Sequence, residues 1–387
     1  MRTRPQRILL IGGGHSHVEV LRRFALTPDP MVELALVSPE YSMCYSGMLP
    51  GLVAGHYSTR ETHIDLAPLA MWAGARYLPD RVTGLDLYTR TARLGSGDRE
   101  PFDIVSLDIG STPEMSPPGA SALALPVKPV SAFLAAWTQM QTEAVTGGVR
   151  HIAVVGGGAG GVEILLAMQH RLSTVMHADA PRFALITDQP TLLPSHAPVV
   201  RARFGRILVE RGAVLHLSSA AMSVEPGSIV VTHGRRIAVD RIVWATSAAG
   251  QPWMAAAGLV CDEHGFIRVD DHLRSTSHPF VFAAGDCATQ VAHPRPKSGV
   301  FAVRQGPPLA TNLRRVVHDV ALQTFVPQRH ALALISTGDK HAIGSRGPFT
   351  VEGNWVWRWK DRIDRRFVTK YTLAIPAPKV LAEAPVD

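Results

Sequence analysis

Two short apolar runs near the start of the chain have the length and composition of buried β-strands. Ile8–Ile11 and Val32–Val37 are almost wholly apolar, as in parallel strands that are covered on both faces. The segment Val18–Phe24 between them has a helical pattern. The same order returns where His151–Val155 leads through a turn into an apolar helix and then into a strand at Phe183–Ile186. The pattern predicts an α/β fold built from repeated strand, turn and helix units.

Glycines fill the turn between the first strand and the first helix. Gly12 and Gly14 have no Cβ atom, so the backbone can approach a pyrophosphate held at the N-terminus of the next helix. His17 stands at the third glycine position of this dinucleotide-binding pattern. Glu40, after the second strand, is either the ribose contact of the same site or a solvated loop carboxylate.

A second glycine turn matches the full pattern G-x-G-x-x-G with Gly156, Gly158 and Gly161. Its distance from the first turn leaves room for the second fold inside the first. Asp188, after the next strand, would accept hydrogen bonds from a ribose 2′-hydroxyl and repel a 2′-phosphate, which favours NADH over NADPH. NADPH remains an alternative cofactor, because the downstream arginines at 201 and 203 could reach its 2′-phosphate.

A third signal is the apolar segment Pro279–Ala284, which ends in Gly285 and Asp286 and is followed by a new helix after Pro296. With these three signals, nearly the whole chain resembles the pyridine-nucleotide-dependent FAD oxidoreductases. That superfamily contains type II NADH dehydrogenases, sulfide:quinone reductases and disulfide reductases. The resemblance implies FAD at the first glycine turn and NAD(P)H, with NADH preferred, at the second.

The resemblance also implies which residues bind each cofactor. Gly285 and Asp286 would hold the ribityl and pyrophosphate part of FAD. Asp108–Pro113 and Trp244–Ser247 resemble the Ala-Thr-Gly segments that link the domains in this family, with Ser247 in place of glycine. The expected FAD residues are Gly12, Gly14, His15, Glu40, Gly110, Gly285 and Asp286. The expected NADH residues are Gly156, Gly158, Gly161 and Asp188.

A narrower resemblance comes from residues 12–17, 45–56, 297–306 and 357–361, which are similar to the flavoprotein module fused in some proteins to selenide, water dikinase. It leaves a link to selenium or sulfur metabolism open. The predicted architecture is two Rossmann-like dinucleotide-binding domains, the second inserted in the first, with a C-terminal cap. The FAD domain takes 1–115 and 258–322, the NAD(P)H domain 116–257, and the cap 323–387.

Four residues are the catalytic candidates. By resemblance, Glu163 lies beside the nicotinamide; the alternative is an ordinary first-turn carboxylate stabilised by the helix dipole. Lys297 and Gln305 would face the flavin pyrimidine edge and the acceptor site, unless they are solvated helix positions. Cys44 stands where disulfide reductases place their redox cysteines, but a single cysteine cannot close a local disulfide. It is either a lone redox centre or a small packed side chain.

Composition excludes several classes of protein. The chain has 387 residues, a formal net charge of +7 and three cysteines without metal-ligand or disulfide spacing. The basic residues are scattered and match no nucleic-acid-binding motif, so no nucleic-acid partner is expected. No apolar stretch reaches membrane-spanning length. His15 and His17 lack the i, i+4 spacing of helical metal pairs, and no metal is expected. A cytoplasmic protein fits best.

The segment 355–371 carries aromatic and apolar residues at every fourth position, with six basic and two acidic residues between 357 and 371. Such a helix suits either peripheral contact with the inner face of the cell membrane or packing on the FAD domain or on a second subunit of a homodimer. The predicted function is transfer of electrons from NADH or NADPH through FAD to an acceptor, with a quinone as the leading choice. The alternatives are Cys44-dependent reduction of a sulfur or selenium species and a flavin-bearing electron-carrier subunit.

Overall fold

The structure, a computed structural model, describes residues 4–246 and 248–372. Its strands are β1 (Gln6–Ile11), β2 (Val32–Val37), β3 (Ser42–Cys44), β4 (His63–Asp65), β5 (Arg76–Leu78), β6 (Val82–Asp86), β7 (Thr91–Leu94), β8 (Arg99–Pro101), β9 (Ile104–Leu107), β10 (Thr112–Pro113), β11 (Leu125–Pro126), β12 (His151–Val155), β13 (Arg182–Ile186), β14 (Val214–His216), β15 (Ala221–Glu225), β16 (Ser228–Val231), β17 (Arg235–Ala238), β18 (Arg241–Trp244), β19 (Ala248–Ala249), β20 (Ile267–Val269), β21 (Val281–Ala283), β22 (Ala288–Gln290), β23 (Ala333–Ser336), β24 (Ala342–Arg346) and β25 (Phe349–Gly353). Its α-helices are α1 (His15–Leu26), α2 (Leu49–Val53), α3 (Thr59–Thr62), α4 (Leu66–Trp72), α5 (Ala120–Leu123), α6 (Val130–Val145), α7 (Ala159–Met176), α8 (Pro198–Glu210), α9 (Pro252–Ala256), α10 (Gly299–Val317) and α11 (Asn354–Thr372).

The first sheet is parallel and has the strand order β21-β9-β1-β2-β5. Its central strand β1 pairs with β2 on one side and β9 on the other, so that Ile8 lies opposite both Leu34 and Ile104. Leu10, Leu36 and Val105 are wholly buried, as expected for a sheet covered on both faces. The apolar runs of the sequence therefore become the interior of this layer.

The second parallel sheet, of order β11-β18-β12-β13-β14, is built from residues between β9 and β21. It is therefore inserted within the chain of the first sheet. The predicted fold class, with one Rossmann-like unit inside another, is confirmed. The chain crosses between the sheets through β10 and β19, which pair antiparallel at Thr112–Ala249 and Pro113–Ala248. The exact domain boundaries stay a prediction.

Smaller antiparallel sheets complete the architecture. Strands β6–β8 form a three-stranded antiparallel meander between β5 and β9 of the first sheet. Strands β15–β17 form another between β14 and β18 of the second sheet. Strands β23–β25 form a third and lead directly into helix α11. Within the described residues, no helix is both long and apolar enough to cross a membrane.

Helix α11 is held against residues from the N-terminal part of the chain by polar contacts. The Tyr57 hydroxyl donates to Oδ1 of Asp361 at 2.8 Å. At the other end of the helix, Lys370 forms an ion pair with the buried carboxylate of Glu19, and the Tyr371 hydroxyl donates to the same carboxylate at 3.0 Å. These contacts join the C-terminal helix to α1, which is itself part of the first layer.

The apolar stripe predicted on this helix divides into two halves. Trp355, Trp359 and Ile363 are 51%, 39% and 41% exposed. Phe367 is half-buried and stacks on Tyr45, with ring centroids 4.3 Å apart. Packing against the body of the protein thus explains only the second half of the stripe. Residues 373–387 of the predicted cap lie outside the described residues.

His17, at the third glycine position, is a fully buried residue of the first turn of α1. Its Nδ1 lies 2.6 Å from the Gly12 carbonyl oxygen, and its Nε2 lies 2.9 Å from Oγ of Ser106. Because a carbonyl only accepts, Nδ1 carries the proton and Nε2 accepts from the serine hydroxyl. Burial lowers the pKa of His17 to about 4, so the ring remains neutral at neutral pH.

This histidine should make the protein less stable in mild acid. The unfolded chain binds a proton near pH 6.5, whereas the folded ring binds one only near pH 4, so stability falls as the pH drops through this window. At pH 5 the loss from this group is about 2 kcal/mol. Urea unfolding of His17→Asn at pH 7.5 and pH 5 should show a smaller drop than the wild type. An equal drop in both proteins contradicts this prediction.

Candidate functional site

The first glycine turn lies where the ends of β1 and β9 meet the N-terminus of α1. Gly12 has a φ of +88°, and a Cβ atom there would lie 2.5 Å from the carbonyl oxygen of Asp108. The Gly12 amide donates to the Val37 carbonyl at 2.8 Å, at the end of the neighbouring strand. Helix α1 begins at the next turn with Gly14 as an extended N-cap residue. Only glycine fits this combination of left-handed backbone and close approach.

Asp108 is a residue of this turn that the sequence analysis did not select. Its Oδ2 accepts the backbone N–H of Ser16 at 2.7 Å and that of His17 at 3.2 Å. Burial, together with the neighbouring Asp286, raises the pKa of Asp108 to about 7. The sequence did contain a signal for Asp108. It stands in the segment that resembles Ala-Thr-Gly, where an acidic residue departs from the family pattern.

Asp286, predicted to bind FAD, follows β21 in the Gly-Asp turn. Nζ of Lys128 lies 2.9 Å from its Oδ2 and also donates to Oγ of Ser111 at 3.0 Å. Lys128 comes from the inserted part of the chain, just after β11. The contact joins the second sheet to the cofactor turn of the first, and only the folded structure brings these distant residues together.

The remaining predicted FAD residues lie around the same region. Gly110 has a φ of +69° in the segment after β9. His15, in the first turn of α1, lies with Nε2 3.2 Å from Oγ of Ser46, and burial lowers its pKa to about 4. Glu40 is exposed after β2, and its Oε1 accepts from Oγ of Ser131 at 2.8 Å.

A small, solvent-open cleft borders the Gly285–Asp286 turn and has Lys297 and Gln305 in its lining. Oε1 of Gln305 accepts the Gly285 amide at 2.6 Å, so this side chain holds the turn. Nζ of Lys297 donates to Oγ1 of Thr289 at 2.8 Å and lies 3.9 Å from the centre of the Phe266 ring. Both polar groups thus already have protein partners.

The second glycine turn repeats the backbone geometry of the first. Gly156 has a φ of +128°, a Cβ atom on it would lie 2.2 Å from the Ala245 carbonyl oxygen, and its amide donates to Ile186 at 2.8 Å. A Cβ atom on Gly161 would lie 2.0 Å from the Gly156 oxygen, so this glycine lets α7 pack closely on the turn. Open space lies above Gly158, at the N-cap of α7. These are the three roles that a dinucleotide fingerprint requires.

The residues around this second turn fit a ribose. Asp188 is exposed directly after β13, where its Oδ2 accepts from Nε2 of Gln189 at 3.1 Å. Arg203 pairs with Glu352 at 3.4 Å. Arg201 contacts Oγ1 of Thr191 through Nη1 at 3.3 Å, while its buried Nε has no hydrogen-bond partner among the described residues.

Glu163, in the first part of α7, interacts through its charge with Lys360 and Asp364, which form a buried polar group with Tyr45. Its Oε1 accepts the Ser336 amide at 2.7 Å. Burial raises the pKa of Glu163 to about 7, while the charge of Lys360 opposes the rise. Lys360 pairs with Asp364 at 2.6 Å, and Asp364 is also hydrogen-bonded to the Tyr45 hydroxyl. Neither Lys360 nor Asp364 was a candidate site residue in the sequence analysis.

Cys44 ends β3 and is partly buried against the apolar core around α7. Burial raises the pKa of its thiol to about 12. A reactive cysteine needs a lowered pKa, because the thiolate is the nucleophile. The surroundings of Cys44 are therefore those of a packed side chain.

Fold and site together define an oxidoreductase with two dinucleotide sites, because both glycine turns have the backbone that a pyrophosphate requires. Residues 6–306 match the pyridine nucleotide-disulphide oxidoreductase family, and the chain belongs to that family. Membership confirms the predicted class of enzyme and its cofactors, FAD and NAD(P)H. The assignment of individual site residues stays a prediction.

Relatives of known name agree with this class. An NADH dehydrogenase-like protein of Mycobacterium tuberculosis is 25% identical over 223 residues, which are 56% of this chain and 56% of the relative. The type II NADH:quinone oxidoreductase of Haemophilus influenzae is 25% identical over 53% of this chain and 50% of its own length. The chain thus spans about half the length of these relatives. An NADH dehydrogenase-like protein of Bacillus subtilis is 21% identical over 92% of this chain and 99% of its own.

Solved structures share the fold. The sulfide:quinone oxidoreductase of Aquifex aeolicus superposes with a TM-score of 0.81 at 17% identity, over 97% of this chain and 93% of that one. The NDH2 of Plasmodium falciparum in complex with NADH gives 0.80 at 14% identity, over 96% and 99%. At these identities the likeness concerns the fold alone.

The glycines of the second turn offer a matched pair of substitutions. Gly161→Ala should lower the free energy of unfolding by about 1–3 kcal/mol and weaken NADH binding, because its Cβ must push α7 off the Gly156 carbonyl. Gly160→Ala, whose Cβ meets open space, should retain or gain up to about 1 kcal/mol of stability. Urea unfolding and NADH titration check this. Equal stability of the two variants contradicts the packing role.

Proposed function

We propose that the protein oxidises NADH through bound FAD and passes the electrons to a quinone. The observation that carries the proposal is the charge interaction of Glu163 with Lys360 and Asp364, of which Asp364 is hydrogen-bonded to Tyr45. It joins the helix of the NADH fingerprint to the segment that, by resemblance, lies under the flavin. The names of the relatives from Mycobacterium tuberculosis and Haemophilus influenzae support the same reaction.

The residues of the chain position the reactants and supply a proton. A bound flavin would accept two electrons from the nicotinamide and release them to the acceptor. The first glycine turn, Asp286 and Lys128 bind and orient FAD, and the open N-terminus of α7 binds the NADH pyrophosphate. Reduction of a quinone to a quinol needs one proton beyond the hydride. Glu163, with a pKa raised to about 7, is suited to hold that proton on its carboxyl group.

NADH is the proposed donor rather than NADPH. Asp188 stands exposed after β13, where a carboxylate accepts from a ribose 2′-hydroxyl and repels a 2′-phosphate. Of the two arginines that left NADPH open, Arg203 is paired with Glu352. Arg201 donates from Nη1 to Thr191, and its buried Nε has no hydrogen-bond partner among the described residues.

Two observations support a quinone over the cysteine chemistry of the alternative reading. The buried thiol of Cys44, with a pKa of about 12, is poorly suited to attack sulfur or selenium species. The exposed half of the α11 stripe, Trp355, Trp359 and Ile363, carries arginines at 358 and 362 beside it. Tryptophan with basic residues favours the interface of an anionic membrane, where a lipid-soluble quinone is met. We propose a cytoplasmic protein that binds peripherally to the inner face of the membrane.

Steady-state turnover distinguishes quinone reduction from Cys44-dependent chemistry and from an electron-carrier subunit. The purified protein should oxidise NADH with a soluble quinone analogue and no added protein, and Cys44→Ser should keep the rate within about twofold, since the thiol is inert. Glu163→Gln should lower kcat about a hundredfold, the usual size of a general acid contribution. Loss of turnover with every acceptor in Cys44→Ser contradicts the quinone reading. Turnover that needs a second protein contradicts an independent enzyme.

Membrane contact is tested by sedimentation with vesicles of neutral and anionic phospholipid. The double variant Trp355→Ala with Trp359→Ala should bind at least about tenfold more weakly, because two apolar anchors are lost. Tyr88→Ala is the matched control, since Tyr88 is 97% exposed on the turn between β6 and β7. If the double variant and the control bind equally, α11 is not the membrane face, and the exposed tryptophans belong to another interface.

A further inference from the structure

Asp108 puts a carboxyl group at the helix N-terminus where a dinucleotide fold receives its pyrophosphate. We propose that Asp108 is a proton-linked positioning residue of the FAD site, whose carboxyl group takes up one proton when the FAD pyrophosphate binds beside it. The inference rests on the FAD cofactor of the proposed function. It concerns cofactor binding and is independent of the electron acceptor.

The position of the carboxyl group is fixed from three sides. A Cβ atom on Gly14 would lie 2.3 Å from Oδ1 of Asp108, and one on Gly285 would lie equally close to the same oxygen. On the third side, Oδ2 accepts the amides of Ser16 and His17. One glycine of the first turn and one of the Gly-Asp turn therefore leave the space that this side chain fills. Asp108 is 3% exposed, so its carboxyl group is held inside the protein.

Charge at this turn is unbalanced once a pyrophosphate is present. Asp286 carries a second carboxylate beside Asp108, and Lys128 supplies one positive charge, which pairs with Asp286. The two histidines of α1, His15 and His17, have pKa values lowered to about 4 by burial and bring no charge at neutral pH.

Two further titratable groups face the turn from the segments after β21. Burial raises the pKa of the Cys287 thiol to about 12, so it stays neutral. Lys297 interacts with Cys287 and Asp286 across the same region, while its ammonium group donates to Thr289. Asp108 is thus the group at this turn whose pKa, about 7, lies closest to the physiological range. A nearby phosphate anion raises that pKa further.

The proton step is a simple protonation. The carboxylate of Asp108 takes one proton from solvent and becomes a neutral carboxyl, with no bond broken elsewhere. The neutral group keeps an oxygen that accepts the α1 amides and gains an O–H donor. Above pH 7 the free site must gain a proton to bind FAD, so its affinity decreases as the pH rises.

Equilibrium dialysis of the FAD-bound protein between pH 6 and pH 9 tests this inference. The wild type should show a Kd for FAD that rises by up to about tenfold per pH unit above pH 7. Asp108→Asn, which stays neutral and retains an amide donor, should show a Kd nearly independent of pH. Asp108→Ala, which restores the small residue of the family pattern, should also give a flat profile and serves if the asparagine variant does not fold.

Asp103→Asn is the matched control. Asp103 stands just before β9, at the opposite end of the strand that Asp108 follows, and it pairs with Arg4 and Arg7. It should lose stability while keeping the pH dependence of the wild type, since it does not touch the cofactor turn. A flat wild-type profile, or a slope that persists in both Asp108 variants, overturns the inference. A protein that holds no FAD at any pH contradicts the proposed function itself, and this inference with it.

Discussion

Both halves of this molecule depend on a glycine in left-handed conformation at the end of a central parallel strand. Gly12 and Gly156 each donate an amide to the end of the next strand and press against the carbonyl of a residue that follows the strand on the other side. A side chain at either position would collide with backbone within 2.5 Å. This constraint turns the chain sharply into α1 and α7, whose N-termini then point at the same kind of ligand.

The two glycine turns have the same backbone conformation but differ in the charged side chains around them. At α7 no side chain among the described residues caps the helix N-terminus, and Glu163 lies just beyond the first turn, which suits a dinucleotide that binds and leaves in each cycle. At α1 the amides of Ser16 and His17 are held by Asp108, and Lys128 from the inserted sheet balances Asp286. The first site is therefore tied into the protein by contacts from both sheets, as expected for a cofactor that remains bound. Helix α11 contacts both regions. Its Lys370 pairs with Glu19 of α1, and its Lys360 and Asp364 interact with Glu163 of α7.

The local parts of this fold were predictable from sequence. Strands such as Val32–Val37 and His151–Val155 have the predicted bounds, because apolar runs and glycine turns are local signals. Side-chain partners were not predictable. The ammonium group of Lys297 and the amide of Gln305 bind neighbours in the Gly-Asp region, and those contacts exist only after the sheet has formed. The apolar stripe of α11 turns by about 40° at each four-residue step, so its two ends face different surroundings. Asp108 and Lys128 were missed because their partners are distant in sequence.

The central claim is that electrons pass from a nicotinamide at the second glycine turn to a flavin at the first. The most direct measurement is anaerobic mixing of the purified, FAD-bound protein with NADH, and separately with NADPH, while the absorbance of the oxidised flavin is followed. This account predicts rapid loss of the flavin absorbance with NADH and slower loss with NADPH. A flavin that stays oxidised with both nucleotides would contradict it.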